Sequence, residues 1–297
     1  NYKYYLKILI YYNKMVCNGY VKIKYHGRYG NKLFIYFIAR LYAEKYNLNL
    51  IDKLDDIFFK IKPSIDYGKI KNENLNTYIL RDKDVKNNEL PYYGKGIYIF
   101  DDYFQFEDIF YENKNIIYNF INLKYQKKNK FTIHIRLDDY FFPNSRNKNY
   151  NRNIIVSLDY YVDCIKKYAD NYKDIYIVCD KLRYDWEKKY MNELVSKIKL
   201  LNKTPIYKVN TINNDIISIL ESNYIVTSNS TFCFWATFFS DAEKIISFPY
   251  LGIDVLPDKK LKKWNNNPQI FKYNKNNRFI FNKNFSSNII DYFQDLY

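Results

Sequence analysis

Four cysteines, two histidines and seven glycines in 297 residues exclude several classes of protein at once. Cys17, Cys164, Cys179 and Cys233 form no C-x-x-C pair, and three of them sit inside apolar runs. They read as buried free thiols in a reducing compartment, which points to the cytoplasm. His26 and His134 belong to no Cys/His cluster with ligand spacing, so no zinc site is expected. The chain has no stretch of about 18 apolar residues, so no transmembrane helix is expected. The opening Tyr4–Tyr12 run is short, is broken by Lys7, and lacks a small-residue cleavage site, so it does not read as a signal peptide. The chain begins at Asn1 rather than Met, as a domain of a longer protein would, which leaves room for an upstream anchor. The net charge of +15 is the kind that attracts nucleic acid, an anionic membrane surface or phosphorylated ligands. Yet no run of five or more lysines exists, and a diffuse excess reads as solvated surface rather than a nucleic-acid footprint.

What is present is an aromatic chain. It carries 35 Tyr and 22 Phe within a 47% hydrophobic composition, and Asn, Lys and Ile are also abundant. That bias resembles AT-rich coding, so a single Tyr or Lys carries little information. The length suits about two domains, and a chain of this size buries roughly three quarters of its unfolded surface.

Val21–Tyr25 alternates as a strand, His26–Asn31 is a tight turn, and Leu33, Phe34, Phe37, Ile38, Leu41, Tyr42 and Tyr46 recur at helical spacing. Residues 52–88 read as irregular loops with short elements, Ile97–Phe100 as a strand, and Phe106–Leu123 as one helix. The second half alternates regularly. Strands are expected at Phe131–Ile135, Ile175–Cys179, Ile206–Val209, Tyr224–Thr227 and Ile245–Phe248. Between them Ser157-Leu158-Asp159 caps a helix through Tyr168, and further helices run from Trp186 to Lys199, Asp215 to Glu221 and Phe232 to Phe239. Such alternation means an α/β fold with a parallel sheet. The tail from Asp258 gives little signal, apart from a terminal helix expected over Ser287–Tyr297.

The segment His134-Ile135-Arg136-Leu137-Asp138-Asp139-Tyr140 stands at the carboxyl end of an apolar strand, where ligands of α/β proteins bind. Arg136 can give two parallel hydrogen bonds to a phosphate, or it can be half of a surface ion pair. Asp138 and Asp139 point opposite ways in an extended segment, so at most one faces a site. Alternation puts His134 on the side of Arg136, as a ligand contact or as a hydrogen-bonded core residue. Gly27-Arg28-Tyr29-Gly30-Asn31 opens a helix after a strand. It is neither a P-loop nor a dinucleotide fingerprint, and it reads as a ligand cradle or a structural turn. Ser228-Asn229-Ser230-Thr231, followed by Phe232, places hydroxyls and backbone N–H groups at a helix start. Capping needs only one such residue, so four lean towards a phosphate. Asp82-Lys83-Asp84 matches the D-x-D of metal-dependent glycosyltransferases, and in this composition the match reads as chance.

Together these pieces resemble the α-1,2-fucosyltransferase family, the family 11 glycosyltransferases. Its G-R-L-G-N-Q-L-F is similar to Gly27-Arg28-Tyr29-Gly30-Asn31-Lys32-Leu33-Phe34. Its G-Y-F-Q-S-E-K-Y-F resembles the run from Asp102 to Phe110, and its H-V-R-R-G-D-Y resembles His134–Tyr140. Its S-x-x-Y-Y resembles Ser157–Tyr161, and its N-S-T-F-S-W-W-A-A-W-L resembles Asn229–Phe239. The resemblance implies a GT-B-like α/β architecture of two Rossmann-like domains facing a cleft. Residues 1–128 would be the acceptor side and 129–297 would bind the nucleotide sugar. It implies inverting transfer of fucose from GDP-fucose to a glycan hydroxyl, α-1,2 to galactose, with no metal or other cofactor. Arg136 would then bind the β-phosphate, Ser230 and Thr231 the diphosphate, and Asp139 would take the acceptor proton. Gly27, Arg28, Gly30, Asn31, His134, Asp180, Ser228, Asn229 and Phe232 would line the donor site. Four departures matter: the family's second arginine is Leu137, its glycine is Asp138, its F-S-D-D is Cys179-Asp180-Lys181-Leu182, and its glutamine is Lys32. They motivate a different sugar nucleotide as the alternative. A nucleic-acid-binding module, motivated by the charge and the Gly27-x-x-Gly30 turn, ranks last.

Overall fold

The computed structural model describes residues 18–52, 54, 74–137, 156, 158–207, 211–228, 230–247 and 279–281. The chain divides into two compact units, Asn1–Leu123 and Lys124–Tyr297, a boundary a few residues before the expected one.

The first unit contains β1 (Gly19–Ile23), α1 (Tyr29–Tyr46), β2 (Asn49–Leu50), β3 (Thr77–Leu80), β4 (Gly96–Phe100), α2 (Glu107–Glu112) and α3 (Lys114–Phe120). Its four described strands are parallel, in the order β2-β1-β4-β3. Gly19 pairs with Gly96 where β1 and β4 begin, and a Cβ on Gly19 would lie 2.0 Å from the Gly96 carbonyl oxygen, so only glycine fits. The tyrosine excess becomes core. Tyr42, Tyr46, Tyr92 and Tyr98 pack ring against ring. Their interior hydroxyls are satisfied: Tyr42 donates to Pro91 O (2.8 Å) and Tyr98 to Gly94 O (2.7 Å). β3 is a short strand inside the stretch expected to hold loops and short elements, and the single helix expected over Phe106–Leu123 is two. The break falls at Asn113, whose side-chain amide bonds back to Ile109 O (2.8 Å) and competes with the helical ladder.

The second unit contains β5 (Lys128–Ile135), α4 (Leu158–Tyr168), β6 (Asp174–Cys179), α5 (Asp185–Leu200), β7 (Thr204–Tyr207), α6 (Ile212–Leu220), β8 (Ser222–Val226), α7 (Thr231–Phe239), β9 (Lys244–Ser247) and β10 (Phe279–Phe281). The six described strands are all parallel, in the order β10-β9-β8-β5-β6-β7. Residues of α4 and α5 pack with Phe131, Ile133, Ile135, Ile175 and Ile177 on one face of the sheet. Residues of α6 and α7 pack with Val178, Ile225 and Ile245 on the other. A sheet covered on both faces needs apolar residues at successive positions, which explains the unbroken β-branched runs. β10 is an addition inside the tail that gave no signal. Ser157 and the terminal helix expected over Ser287–Tyr297 lie outside the described residues. Cys164, Cys179 and Cys233 are buried and free, while Cys17 is outside the described residues. No described helix is long and apolar enough to cross a membrane.

Candidate active site

The strand order fixes where a ligand can enter the second unit. The chain runs outward from β5 through β6 to β7, then returns to the other side of β5 as β8 and continues to β9. Connections therefore leave β5 and β8 in opposite directions, and the crevice at their carboxyl ends is where open α/β sheets take ligands. Arg136 follows β5, Asp180 follows β6, and Ser228 and Ser230 lie between β8 and α7.

β5 and β8 are joined by polar pins. The Ser222 hydroxyl donates to Ser218 O, so Thr132 donates to Ser222 Oγ across 2.6 Å. His134 Nδ1 and Ser228 Oγ share a hydrogen bond of 2.7 Å, and Phe232 lies roughly parallel to the His134 ring with centroids 5.8 Å apart. His134 is 5% exposed. It is an interior residue that holds Ser228 and contacts Phe232. Burial, then the Arg136 charge, push its pKa down to about 3. An unfolded histidine takes up its proton near pH 6.5, so the unfolded chain binds one proton more between those values. Stability is therefore full above about pH 6.5 and falls as pH drops towards 3, by up to about 1.4 kcal/mol per pH unit. Urea unfolding of wild type and His134→Gln between about pH 7 and pH 4 should show the shallower slope in the variant. Equal slopes would rule out this contribution.

Arg136 and Leu137 leave β5 on opposite faces. Arg136 turns to Asp180 and forms an ion pair through Nη1 and Oδ2. Leu137 is 1% exposed and packs in the cluster beneath α4 and α5. The residue standing at the family's second arginine is thus a core position here. The alternation of the strand points position 137 away from the side that Arg136 faces. Asp138, Asp139 and Asn229 lie outside the described residues.

Ser230 is the N-cap residue of α7, yet its side chain makes no cap hydrogen bond. The turn is closed by the backbone instead, with Ser230 N donating to Ser228 O (3.0 Å). Thr231 begins the helix, whose first turn carries no acidic residue. Simple side-chain capping therefore does not account for the hydroxyl-rich run.

In the first unit β1 and β4 are neighbouring parallel strands, so their carboxyl ends lie side by side. Gly27 has φ +66, and a Cβ there would strike the Asn31 side chain at 2.2 Å. Gln105 Nε2 donates to Asn31 Oδ1 (3.1 Å), which brings the glycine turn and the Tyr103-Phe104-Gln105 segment together. Arg28 is the exposed N-cap residue of α1, and Gly30 is buried inside its first turn. Phe104 is fully buried with φ +51, a left-handed conformation costly for a bulky residue. Asp82 Oδ1 holds it by accepting from Phe104 N (2.7 Å), and Asp84 accepts from Arg81 N (2.8 Å). Both carboxylates of the D-x-D match thus serve the backbone. Among the described residues no group of three or more His, Cys, Asp or Glu is placed to hold a metal. A further pair, His26 and Asp101, meets side chain to side chain at 2.9 Å. The available signal was position alone, since one lies just beyond β1 and the other just beyond β4.

Residues 54–274 match the family model described as glycosyl transferase family 11. The chain belongs to that family. It is a glycosyltransferase, and its two parallel α/β units are consistent with the Rossmann-like GT-B fold. The family 11 match takes in Arg136, Asp180 and the run from Ser228 to Phe232, and begins after the glycine turn. No curated protein matches the chain.

A cavity of about 260 Å³ lies elsewhere in this glycosyltransferase, among Lys130, Tyr176, Ile206, Ile217 and Glu221. Its lysine is held by Glu221 at 3.0 Å, and Lys130 stands near the amino end of β5, away from the crevice.

Proposed function

We propose that the protein is an inverting fucosyltransferase that moves L-fucose from GDP-fucose to a galactose hydroxyl of a glycan, forming an α-1,2 linkage without a metal. The observation that carries the reading is the placement of Arg136, ion-paired with Asp180, and of the start of α7 after the neighbouring parallel strands β5 and β8. A guanidinium has five N–H donors in a plane, and its ion pair with Asp180 sets that plane at the strand end. Arg136 would take the β-phosphate, and Ser228, Asn229, Ser230, Thr231 and the orphan N–H groups of α7 would take the remaining oxygens. His134 acts from below by holding Ser228. In transfer the bond from the sugar C1 to the β-phosphate oxygen breaks with its electron pair leaving on GDP. Arg136 stabilises that growing charge while the acceptor oxygen bonds to C1.

The second unit is assigned the nucleotide sugar and the first the acceptor, with Gly27, Arg28, Gly30 and Asn31 on the acceptor side. A carboxylate near the strand end, Asp139 in the reading from the sequence, would receive the proton. The test is to incubate the full chain with GDP-fucose and a β-galactoside in the presence of EDTA. Fucosylated product and GDP in equal amounts are expected. No product with any galactoside overturns the acceptor, and product only from a UDP- or dTDP-sugar overturns the donor.

A further inference from the structure

α4 carries two consecutive tyrosines, Tyr160 and Tyr161, whose motif the transfer step above leaves unused. Both side chains are fully buried, and their rings meet edge to face with centroids 5.2 Å apart. Consecutive helix positions point about 100° apart, so the two hydroxyls reach different strands. Tyr161 Oη donates to His134 O (3.1 Å) on β5. Tyr160 Oη donates to Ile246 O (3.1 Å) on β9. A carbonyl oxygen has two lone pairs, and that of Ile246 also accepts from Thr227 N (2.9 Å). His134 stands two residues before Arg136 and holds Ser228 through its ring, and Thr227 directly precedes Ser228. One helix therefore braces both the strand end that leads to Arg136 and the strand end that leads to Ser228. A phenol has one hydrogen to donate. Burial pushes both pKa values well above the ordinary range, so both hydroxyls keep it.

We propose that Tyr160 and Tyr161 are positioning residues that hold Ser228 and Arg136 at one level for the diphosphate. The assignment rests on the transferase reading above. Neither side chain is exposed, so neither touches the donor, and each acts through a backbone carbonyl. Packing alone asks only for the rings, which phenylalanine supplies without a polar atom to satisfy. Without the Tyr161 hydroxyl the end of β5 is free to shift, and the guanidinium shifts with it. A small displacement from the diphosphate weakens the stabilisation of its developing charge more than the binding of the resting donor. Without the Tyr160 hydroxyl the same happens to Ser228. Tyr190 is the internal comparison. It packs in the same cluster and donates to Val156 O (2.6 Å), which lies before α4 and on neither strand end.

The full chain and its Tyr160→Phe, Tyr161→Phe and Tyr190→Phe variants are compared for kcat, acceptor KM and thermal melting, with kinetics well below every midpoint. Tyr160→Phe and Tyr161→Phe are each expected to lower kcat about tenfold with acceptor KM unchanged. Tyr190→Phe is expected to lower the midpoint and leave kcat unchanged. In an Arg136→Ala background the Tyr161→Phe loss should shrink to under about threefold, because the hydroxyl acts chiefly through the guanidinium. A kcat loss under about threefold in either single variant of the pair, or an equal loss in Tyr190→Phe, overturns the assignment and leaves the transferase reading standing. An undiminished loss in the Arg136→Ala background, or unfolding of either variant, makes the hydroxyls structural and also overturns it. Absence of transfer by the wild-type chain from any sugar nucleotide removes the transferase reading, and the assignment with it.

Discussion

Arg136→Ala is expected to lower kcat/KM by about 10²–10³-fold, or about 3–4 kcal/mol of transition-state stabilisation, while the protein remains folded. The functional part follows from charge. In an inverting transfer the diphosphate gains negative charge as the sugar leaves, and a fixed guanidinium at the strand end stabilises that charge more than it does the bound donor. The structural part follows from exposure. Arg136 and Asp180 have side chains 13% and 43% exposed, so the orphaned carboxylate is hydrated and the lost pair costs at most about 1 kcal/mol. Arg136→Lys keeps the charge but loses the planar fork, and should fall between wild type and alanine. Steady-state kinetics, GDP titration and a melting curve check the set. Wild-type kcat/KM in Arg136→Ala would remove the residue from the reaction.

The second expected result concerns stability. Leu137→Arg restores the residue type of the family motif at this position, and resemblance alone makes it a gain of donor affinity. The structure gives the opposite sign. Leu137 packs among Ile135, Val156, Tyr161 and Cys179 in the interior beneath α4 and α5. An arginine there removes a buried leucine and either buries an unpaired charge or forces the cluster open. The expected cost is about 4–5 kcal/mol, a large share of the about 5–15 kcal/mol that holds most domains together. Urea unfolding measures it. A loss below about 1 kcal/mol would mean that the side chain escapes to solvent along its own aliphatic stem. An accompanying rise in GDP affinity would place residue 137 in the site after all.

The sequence showed best what is written in local period. The strands of the second unit and the helices between them follow directly from β-branched runs and helical spacing. β3 did not, because Thr77–Leu80 is four residues long and is flanked by Asn and charge. It exists because β4 offers it a parallel partner. β10 is similar, three residues whose register is set by β9. At the site, Arg136 and the Ser228–Thr231 run were legible from position and residue type. The contacts that give them meaning were not. Arg136 meets Asp180 across 44 residues, His134 meets Ser228 across 94, and His26 meets Asp101 across 75. No spacing rule reaches that far, since such pairs are made by strand order. Leu137 shows the reverse limit. A motif comparison reads it as a missing cation, although parity along β5 already assigns it to the core.

The two hydrogen bonds that pin β5 to β8 also bear on how the molecule is assembled. β5 can find β6 after closing a loop of about 40 residues, but β8 only after about 90. Shorter closures come first, so β5, β6 and β7 form a platform that β8 joins late. β8 brings Ser228, Ser230 and the start of α7 with it, so the anion-gripping end of the site is completed only in that step. A slip of β8 by one residue would leave Thr132 and His134 facing no partner, at about 1–3 kcal/mol for each orphaned group. The same pins therefore act as a proofreading device for strand alignment: the chain reaches its lowest energy only when Ser228 and Arg136 stand at the same level.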